Sequence, residues 1–222
     1  ADPVDGKFLQ GFFKTGPGEY GAGDKFLGLR VPALRRLERE YSGLSDSDTL
    51  EMLASPWHEE RLLALILLVG KYDRGDGAQR EKIHRAYLAN SRYVNNWDLV
   101  DCSAGSIVGA QLDAGDIGLI EGLASSDNIW ERRIAIISTF HFIKLGEFKP
   151  TLRMAEMLLN DKHDLIHKAV GWMLREVGKR DRVAEDAFLM KHYRTMPRTM
   201  LRYAIERHPE SIRKRYLKGL LG

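Results

Sequence analysis

Apolar residues recur every three or four positions along most of the chain, which is the spacing of one face of an α-helix. A clear example is the series Val31, Leu34, Leu37 and Tyr41. Few segments alternate with a period of two, so no strand is required. Residues that favour helix starts punctuate the pattern at Pro32, Ser55-Pro56, Asn95-Asn96, Asp127-Asn128, Pro150-Thr151 and Met196-Pro197. The pattern predicts an all-α protein.

Four predicted helices open in a similar way, three of them with a tryptophan. The opening residues are Trp57, Trp97, Trp130 and, in a weaker copy, Ile166, at spacings of 40, 33 and 36 residues. This period is typical of HEAT-like helix-turn-helix units, which bury their faces only against neighbouring units. The sequence therefore predicts a single HEAT-like repeat domain over residues 1–222, a helical solenoid with a concave face. The glycine-rich residues 1–28 are expected to hold one helix and a loop, and Asn128 with Glu131 has the spacing of a capping box.

Composition excludes several classes of protein. The chain has 222 residues, of which 44% are apolar, and this is enough for a sizeable core. Its longest apolar run is too short to cross a bilayer, and its start has no basic segment followed by an apolar one, so we expect neither a membrane span nor a secretion signal. The only cysteine, Cys102, excludes an internal disulfide framework and favours a cytoplasmic location. No metal-ligand spacing is present, so we expect neither a metal nor a cofactor.

Positive charge is concentrated at the end of the chain. The net charge is only +3, but residues 182–222 hold ten Lys and Arg against four Asp and Glu. Such asymmetry is typical of proteins that bind a polyanion. A solvated basic face on a terminal helix would leave the same pattern, and charge alone does not separate the two interpretations.

One repeat carries a carboxylate where the others do not. Four residues after the opening residue the copies read Arg61, Asp101, Ile134 and Val170. Asp101 follows Trp97 by four positions, so the two side chains are expected to meet on one helix face. A carboxylate beside an indole in a thinly solvated cleft is a candidate catalytic group. The alternative is a structural salt bridge to the next repeat, for example to Arg133.

The remaining candidates have structural alternatives as well. Arg133 lies three positions after Trp130, and its neighbour Arg132 must point about 100° away around the helix. Trp172 and Arg175 are three positions apart, on one face. Solvated arginines and core tryptophans would explain these residues equally well, and Trp57 and Trp130 are predicted to be core residues. Tyr20 lies in the glycine-rich stretch, where it could be a loop anchor.

Three ordered motifs resemble the DNA alkylation repair glycosylases of the AlkD type, which are built from HEAT-like repeats. They are Trp97-Asp98-Leu99-Val100-Asp101, Ser126-Asp127-Asn128-Ile129-Trp130-Glu131-Arg132-Arg133 and Lys168-Ala169-Val170-Gly171-Trp172-Met173-Leu174-Arg175-Glu176. The early segment Phe26-Leu27-Gly28-Leu29-Arg30-Val31-Pro32 also fits, so the resemblance extends over nearly the whole chain. Asn96 departs from the family pattern, which has a bulky residue before the tryptophan.

The resemblance implies a function and roles for six residues. It implies that Asp101 is the catalytic carboxylate, that Trp97 and Trp172 contact the lesion nucleotide, and that Arg133 binds its phosphate. Arg175, on the face of Trp172, is placed with the DNA-binding residues, and Tyr20 matches a lesion-facing tyrosine only if a gap is allowed.

The implied activity is that of a monofunctional DNA glycosylase acting on cationic N3- or N7-alkylated purines. The implied partner is alkylated double-stranded DNA on the concave face, bound by a cytoplasmic, nucleoid-associated monomer. Two rival classes are a non-catalytic relative that binds damaged DNA and a helical-repeat scaffold for protein interaction.

Overall fold

The computed structural model describes residues 2–113 and 115–221, and within these residues the secondary structure is helical apart from two isolated β-bridges. The predicted all-α fold class is confirmed. No helix of the described residues is long and apolar enough to serve as a membrane span. Contacts divide the chain into two compact units, Ala1–Ile107 and Val108–Gly222, and each unit is described by itself. One domain over residues 1–222 stays a prediction.

The first unit is organised around a long central helix, α4. Helices α2, α3, α5 and α6 pack against α4, which carries most of the buried leucines of this unit. A 3₁₀ turn, Ser91–Tyr93, precedes α6. The helices are α1 Pro3–Gln10, α2 Val31–Glu40, α3 Asp46–Leu53, α4 His58–Arg74, α5 Gly77–Ala89 and α6 Trp97–Ile107.

The second unit is organised around α11, which packs against α8, α10, α12 and α13. Short 3₁₀ turns lie at Gly109–Gln111 and Ile205–Arg207. The helices are α7 Gly118–Ala124, α8 Ile129–Ser138, α9 Phe140–Leu145, α10 Lys149–Met157, α11 Asp164–Gly178, α12 Arg182–His192, α13 Arg198–Ala204 and α14 Glu210–Lys218. Gly171 of α11 allows a close approach, because a Cβ there would clash with the Met200 carbonyl and Tyr203 of α13.

The N-terminal segment contains one helix, α1. Asp2 accepts hydrogen bonds from the backbone N–H groups of Val4 and Asp5, and Pro3 fits the first helical position, so α1 begins where a cap and a proline coincide. A loop follows from residue 11 to residue 30. Its Gly28 has φ of 83°, a conformation that disfavours residues with a Cβ.

The repeat appears as a hydrogen bond at three helix starts. In each, a side chain donates to the backbone carbonyl of the residue six positions earlier, which holds the chain as it enters the helix. The pairs are Arg61 with Ser55 at 3.0 Å, Arg132 with Ser126 at 2.9 Å and His167 with Asp161 at 2.5 Å. Such bonds satisfy backbone groups outside the helix and fix where it begins.

These starts change the alignment of the repeats. Trp57 is the N-cap of α4, Trp97 is the first residue of α6 and Trp130 is the second residue of α8. The sequence-based alignment, which placed these tryptophans at one equivalent position, is therefore displaced by one or two residues relative to the helix starts. The reason is that capping groups, and not indole rings, determine where each helix begins. The capping box is also wrong in part: Asn128 does cap α8, but Glu131 accepts a hydrogen bond from Ser126 instead.

Candidate functional site

The start of α6 carries the candidate carboxylate and one candidate aromatic residue. Asp101 lies one helical turn after Trp97, and both side chains are half-buried. Leu99, on the opposite side of the helix, and Val100, which follows it, are both fully buried and anchor α6 in the core of the unit. The first unit thus brings Trp97 and Asp101 together on one helix face that is neither sealed nor fully exposed.

A buried polar network holds this helix start. We define it as Asp24, His58, Arg61, Asn96 and Asp98. The Asp24 carboxylate accepts hydrogen bonds from Arg61 at 2.7 Å and from Asn96 at 3.0 Å, and it lies 3.4 Å from the His58 ring. The other ring nitrogen of His58 lies 2.8 Å from Asp98, the residue after Trp97. The network therefore ties the glycine-rich loop and α4 to the first turn of α6.

Burial and charge act in opposite directions on the two central groups of the network. Burial lowers the pKa of His58, but the hydrogen bonds with Asp24 and Asp98 outweigh it and raise the pKa to about 9. Burial raises the pKa of Asp24, but His58, Arg61 and Asn96 together hold it below its ordinary value. Both groups are therefore charged at neutral pH.

Asn96 and Asp24 are members of the site that sequence reasoning missed. Asn96 is fully buried, and its amide reaches Asp24 across 72 positions of sequence. The Asn96 side-chain oxygen also accepts from the Trp97 N–H at 2.8 Å. The departure of Asn96 from the family pattern was the available signal, because a polar residue there needs a buried partner.

Tyr20 lies in the loop that packs on this helix start. A Cβ added to its neighbour Gly21 would lie 3.6 Å from the Asn96 amide and 2.9 Å from the Lys14 carbonyl. Gly21 is therefore tightly enclosed, and Tyr20, which is half-buried, lies close in sequence to the polar network. Tyr20 itself has interactions within the described residues.

In the second unit, the two neighbouring arginines of α8 differ in environment. Arg132 forms an ion pair with Asp161 at 2.7 Å and is held at the helix start, which is a structural role. Arg133 is 5% exposed and donates to the Leu165 carbonyl at 2.6 Å. Neither lies on a freely solvated face. The predicted core position of Trp130 is confirmed by its burial, whereas Trp57 is only half-buried.

Trp172 and Arg175 share a face of α11 and have different partners. Trp172 is half-buried, its ring lies 6.1 Å from that of Phe140, and its N–H donates to Glu176 at 3.2 Å. Arg175 forms an ion pair with Glu206 of the turn after α13. A DNA contact from Arg175 would have to compete with this ion pair.

The corrected helix starts reveal an equivalence among four helices. The fifth residue is Leu62 in α4, Asp101 in α6, Arg133 in α8 and Lys168 in α11. One position in the repeat thus changes from apolar to acidic to basic along the chain. Lys168, which sequence reasoning quoted only within a motif, is half-buried and pairs with Asp164 at 2.8 Å.

The basic C-terminal segment is partly neutralised. Lys191 pairs with Glu156 and Arg213 with Glu210. Other cations of the segment, including Arg202 and Lys218, lie exposed on the second unit. Exposed cations of this kind are available to a polyanion.

Comparisons with known proteins agree with this picture. A family model described as DNA alkylation repair enzyme matches residues 1–208. A solved structure described as a predicted DNA alkylation repair enzyme from Enterococcus faecalis is similar in fold, with a TM-score of 0.69 and 14% sequence identity over 94% of this chain and 97% of that one. No curated protein matches the chain. The extent of the family match shows that the chain belongs to the DNA alkylation repair enzyme family.

Proposed function

We propose that the chain is a monofunctional DNA glycosylase that hydrolyses the N-glycosidic bond of cationic N3- or N7-alkylated purines. The observation that carries this proposal is the half-buried pair of Trp97 and Asp101 at a helix start held by the buried polar network. Such support is what a preorganised catalytic carboxylate requires.

The proposed chemistry needs one ionised carboxylate and no cofactor. Alkylation gives the purine a positive charge, so the base leaves without being protonated. As the bond from C1′ to the base nitrogen breaks, its electron pair neutralises the purine and the sugar becomes oxocarbenium-like. The Asp101 carboxylate stabilises that positive charge and orients a water molecule, whose oxygen bonds to C1′ and whose proton passes to the carboxylate or to solvent. The products are a free alkylpurine and an abasic site, with the strand intact.

Binding would combine aromatic and cationic contacts. Trp97 and Trp172 would face the lesion nucleotide, since indole rings favour a cationic base. Arg133 would contact its phosphate, and Lys168, which occupies the equivalent and more exposed position in α11, is an additional candidate. The partner would be alkylated double-stranded DNA, bound by a monomer. The location that follows from this role is the cytoplasm, in association with the nucleoid.

One assay separates the proposal from its rivals. The protein is incubated with methylated duplex DNA, and free methylpurines are measured by chromatography beside a strand-cleavage gel. We expect methylpurine release, abasic sites and no strand break. Duplex binding without release would favour a non-catalytic DNA-binding relative, and absence of duplex binding would favour a protein-interaction scaffold.

A further inference from the structure

The two tryptophans that are proposed to contact the lesion nucleotide are held in different ways. The indole N–H of Trp172 donates to Glu176 at 3.2 Å, and this bond fixes the direction of the ring. Within the residues that the structure describes, the indole N–H of Trp97 has no such acceptor, although its backbone N–H donates to the Asn96 side chain at 2.8 Å. The orientation of the Trp97 indole therefore depends on packing.

The ring that packs on Trp97 is that of Phe13, in the loop after α1. The two rings are stacked, with their centroids 5.3 Å apart and an angle of 23° between their planes. Aromatic pairs at such distances stabilise one mutual orientation in addition to the apolar area that they bury. Phe13 thus covers part of one indole face, while the Trp97 side chain as a whole stays half-buried and keeps surface for a nucleotide.

Phe13 is itself supported from the interior of the first unit. Its ring is stacked on that of Phe26 at 5.1 Å and lies 4.7 Å from that of His58. Phe26 is in turn stacked on His58 at 4.9 Å. His58 is 2% exposed and belongs to the buried polar network, so a fixed group of α4 supports the loop residue. The contacts therefore run from buried His58 through Phe13 to half-buried Trp97.

The Trp97 indole has room to turn if this support is removed. Phe13 and Trp97 both line a cavity of about 490 Å³, whose walls are mostly aromatic and aliphatic side chains. A side chain in a close-packed interior is confined to one rotamer by its neighbours, whereas a side chain beside a cavity can reach another. Removing the Phe13 ring would enlarge this cavity next to the indole.

We propose that Phe13 is a positioning residue, which fixes the Trp97 indole in the orientation that contacts the lesion nucleotide. This inference rests on the proposed function for the role of Trp97. Phe13 acts through the indole and needs no contact with DNA. Because Trp97 lies one helical turn before Asp101, an indole that turns away would leave the nucleotide poorly aligned with the carboxylate, and misalignment lowers the rate of the chemical step.

The first test is the rate of methylpurine release from methylated duplex DNA at saturating protein, in a single turnover. Phe13→Leu removes the stacked ring but keeps an apolar side chain, and it should lower the rate about three- to tenfold, the range that the loss of one aromatic pair gives. Duplex affinity, which phosphate contacts dominate, should change by less than about twofold. Phe13→Tyr keeps the ring and should retain at least about half of the native rate.

The control and a second background show whether the effect passes through Trp97. Phe8→Leu is the matched control, because Phe8 is an aromatic residue of the same unit that pairs with Phe12 at 5.4 Å, and it should leave the rate unchanged. In a Trp97→Leu background, adding Phe13→Leu should change the rate by less than about twofold, since residues that act through one contact are not additive. Phe13→Met is measured in parallel, so that the result does not depend on how well one variant folds.

The second test is spectroscopic and needs no catalysis. An indole held in one orientation contributes to the near-ultraviolet circular dichroism, and this contribution disappears when fixed packing is lost. The difference between the native protein and Trp97→Leu in the indole bands gives the contribution of Trp97. Phe13→Leu should lose at least about half of this contribution. Phe13→Tyr and Phe8→Leu should keep it.

Three outcomes would overturn the proposal. They are an unchanged Trp97 signal in both Phe13→Leu and Phe13→Met, an unchanged rate in both variants, and an equal loss of rate with and without the Trp97 indole. Failure of the proposed function is distinguishable from these outcomes. If the native protein released no methylpurine and Phe13→Leu still lost the Trp97 signal, the glycosylase assignment would fail, and Phe13 would stand as the residue that fixes the Trp97 indole.

Discussion

Replacing Asp24 with asparagine perturbs the group on which the polar network converges. The Asp24 side chain is 7% exposed, and its partners Arg61 and His58 are 6% and 2% exposed. Asp24→Asn keeps the volume but removes the negative charge between two buried cations. Removing one partner of a buried ion pair costs about 3–5 kcal/mol, because the remaining charge stays desolvated without compensation. We therefore expect the free energy of unfolding to fall by about that amount.

Urea unfolding at pH 7, followed by circular dichroism, measures this change. With a typical dependence of about 2 kcal/mol per molar urea, the midpoint should fall by about 2 M. Glu121→Gln is the matched control, since it removes a carboxylate from a pair with the largely exposed Arg153, and such pairs contribute about 0–1 kcal/mol. If Asp24→Asn shifts the midpoint no more than this control does, the network does not hold the helix start as described.

Three further predictions concern other parts of the chain. The pKa of His58 in the folded protein, about 9, lies above the ordinary value of about 6.5. The stabilisation that protonated His58 contributes is therefore complete below pH 6.5 and is lost as the pH rises through 9. The free energy of unfolding, measured against pH, should show this decline, and His58→Gln should reduce the decline. Gly171→Ala should lower the free energy of unfolding by about 1–3 kcal/mol, because the added methyl group pushes α11 away from α13. Gly122→Ala is the control: its methyl group meets open space, so it should raise the free energy of unfolding by up to about 1 kcal/mol in the same urea assay. Replacing Arg202 and Lys218 with alanine should weaken duplex binding. The slope of log affinity against log salt concentration should become shallower by about one for each phosphate that the variant no longer neutralises. An unchanged slope would show that these two residues do not contact the DNA.

Sequence periodicity was sufficient for the fold class because helical amphipathicity is a local property. The helix at Pro3–Gln10, its Asp2 cap and the following loop all depend on residues within a few positions of one another. The alignment of the repeats was harder to predict from the sequence. Indole rings can fill similar space from adjacent positions, so the tryptophans were a poorer guide to the helix starts than the bond from Arg61 to the Ser55 carbonyl and its two counterparts.

The common helix face of Asp101 and Trp97 could be predicted from the sequence, because residues four positions apart in a helix lie on the same side. The partners of that helix were not predictable. Asp24 and Asn96 are 72 positions apart, and nothing in either local sequence indicates the hydrogen bond between them. The pairing of Arg175 with Glu206 likewise depends on tertiary contact between α11 and the turn after α13.

The most direct test of the central claim is the single-turnover rate of methylpurine release from methylated duplex DNA by Asp101→Asn, measured beside its duplex affinity. Glu51→Gln, an exposed charge removal on α3, is the control. We predict that Asp101→Asn lowers the rate by at least about 100-fold and that it binds duplex with nearly unchanged affinity, whereas Glu51→Gln changes neither. A rate for Asp101→Asn within a few-fold of that of the native protein would contradict the assignment of Asp101 as the catalytic carboxylate.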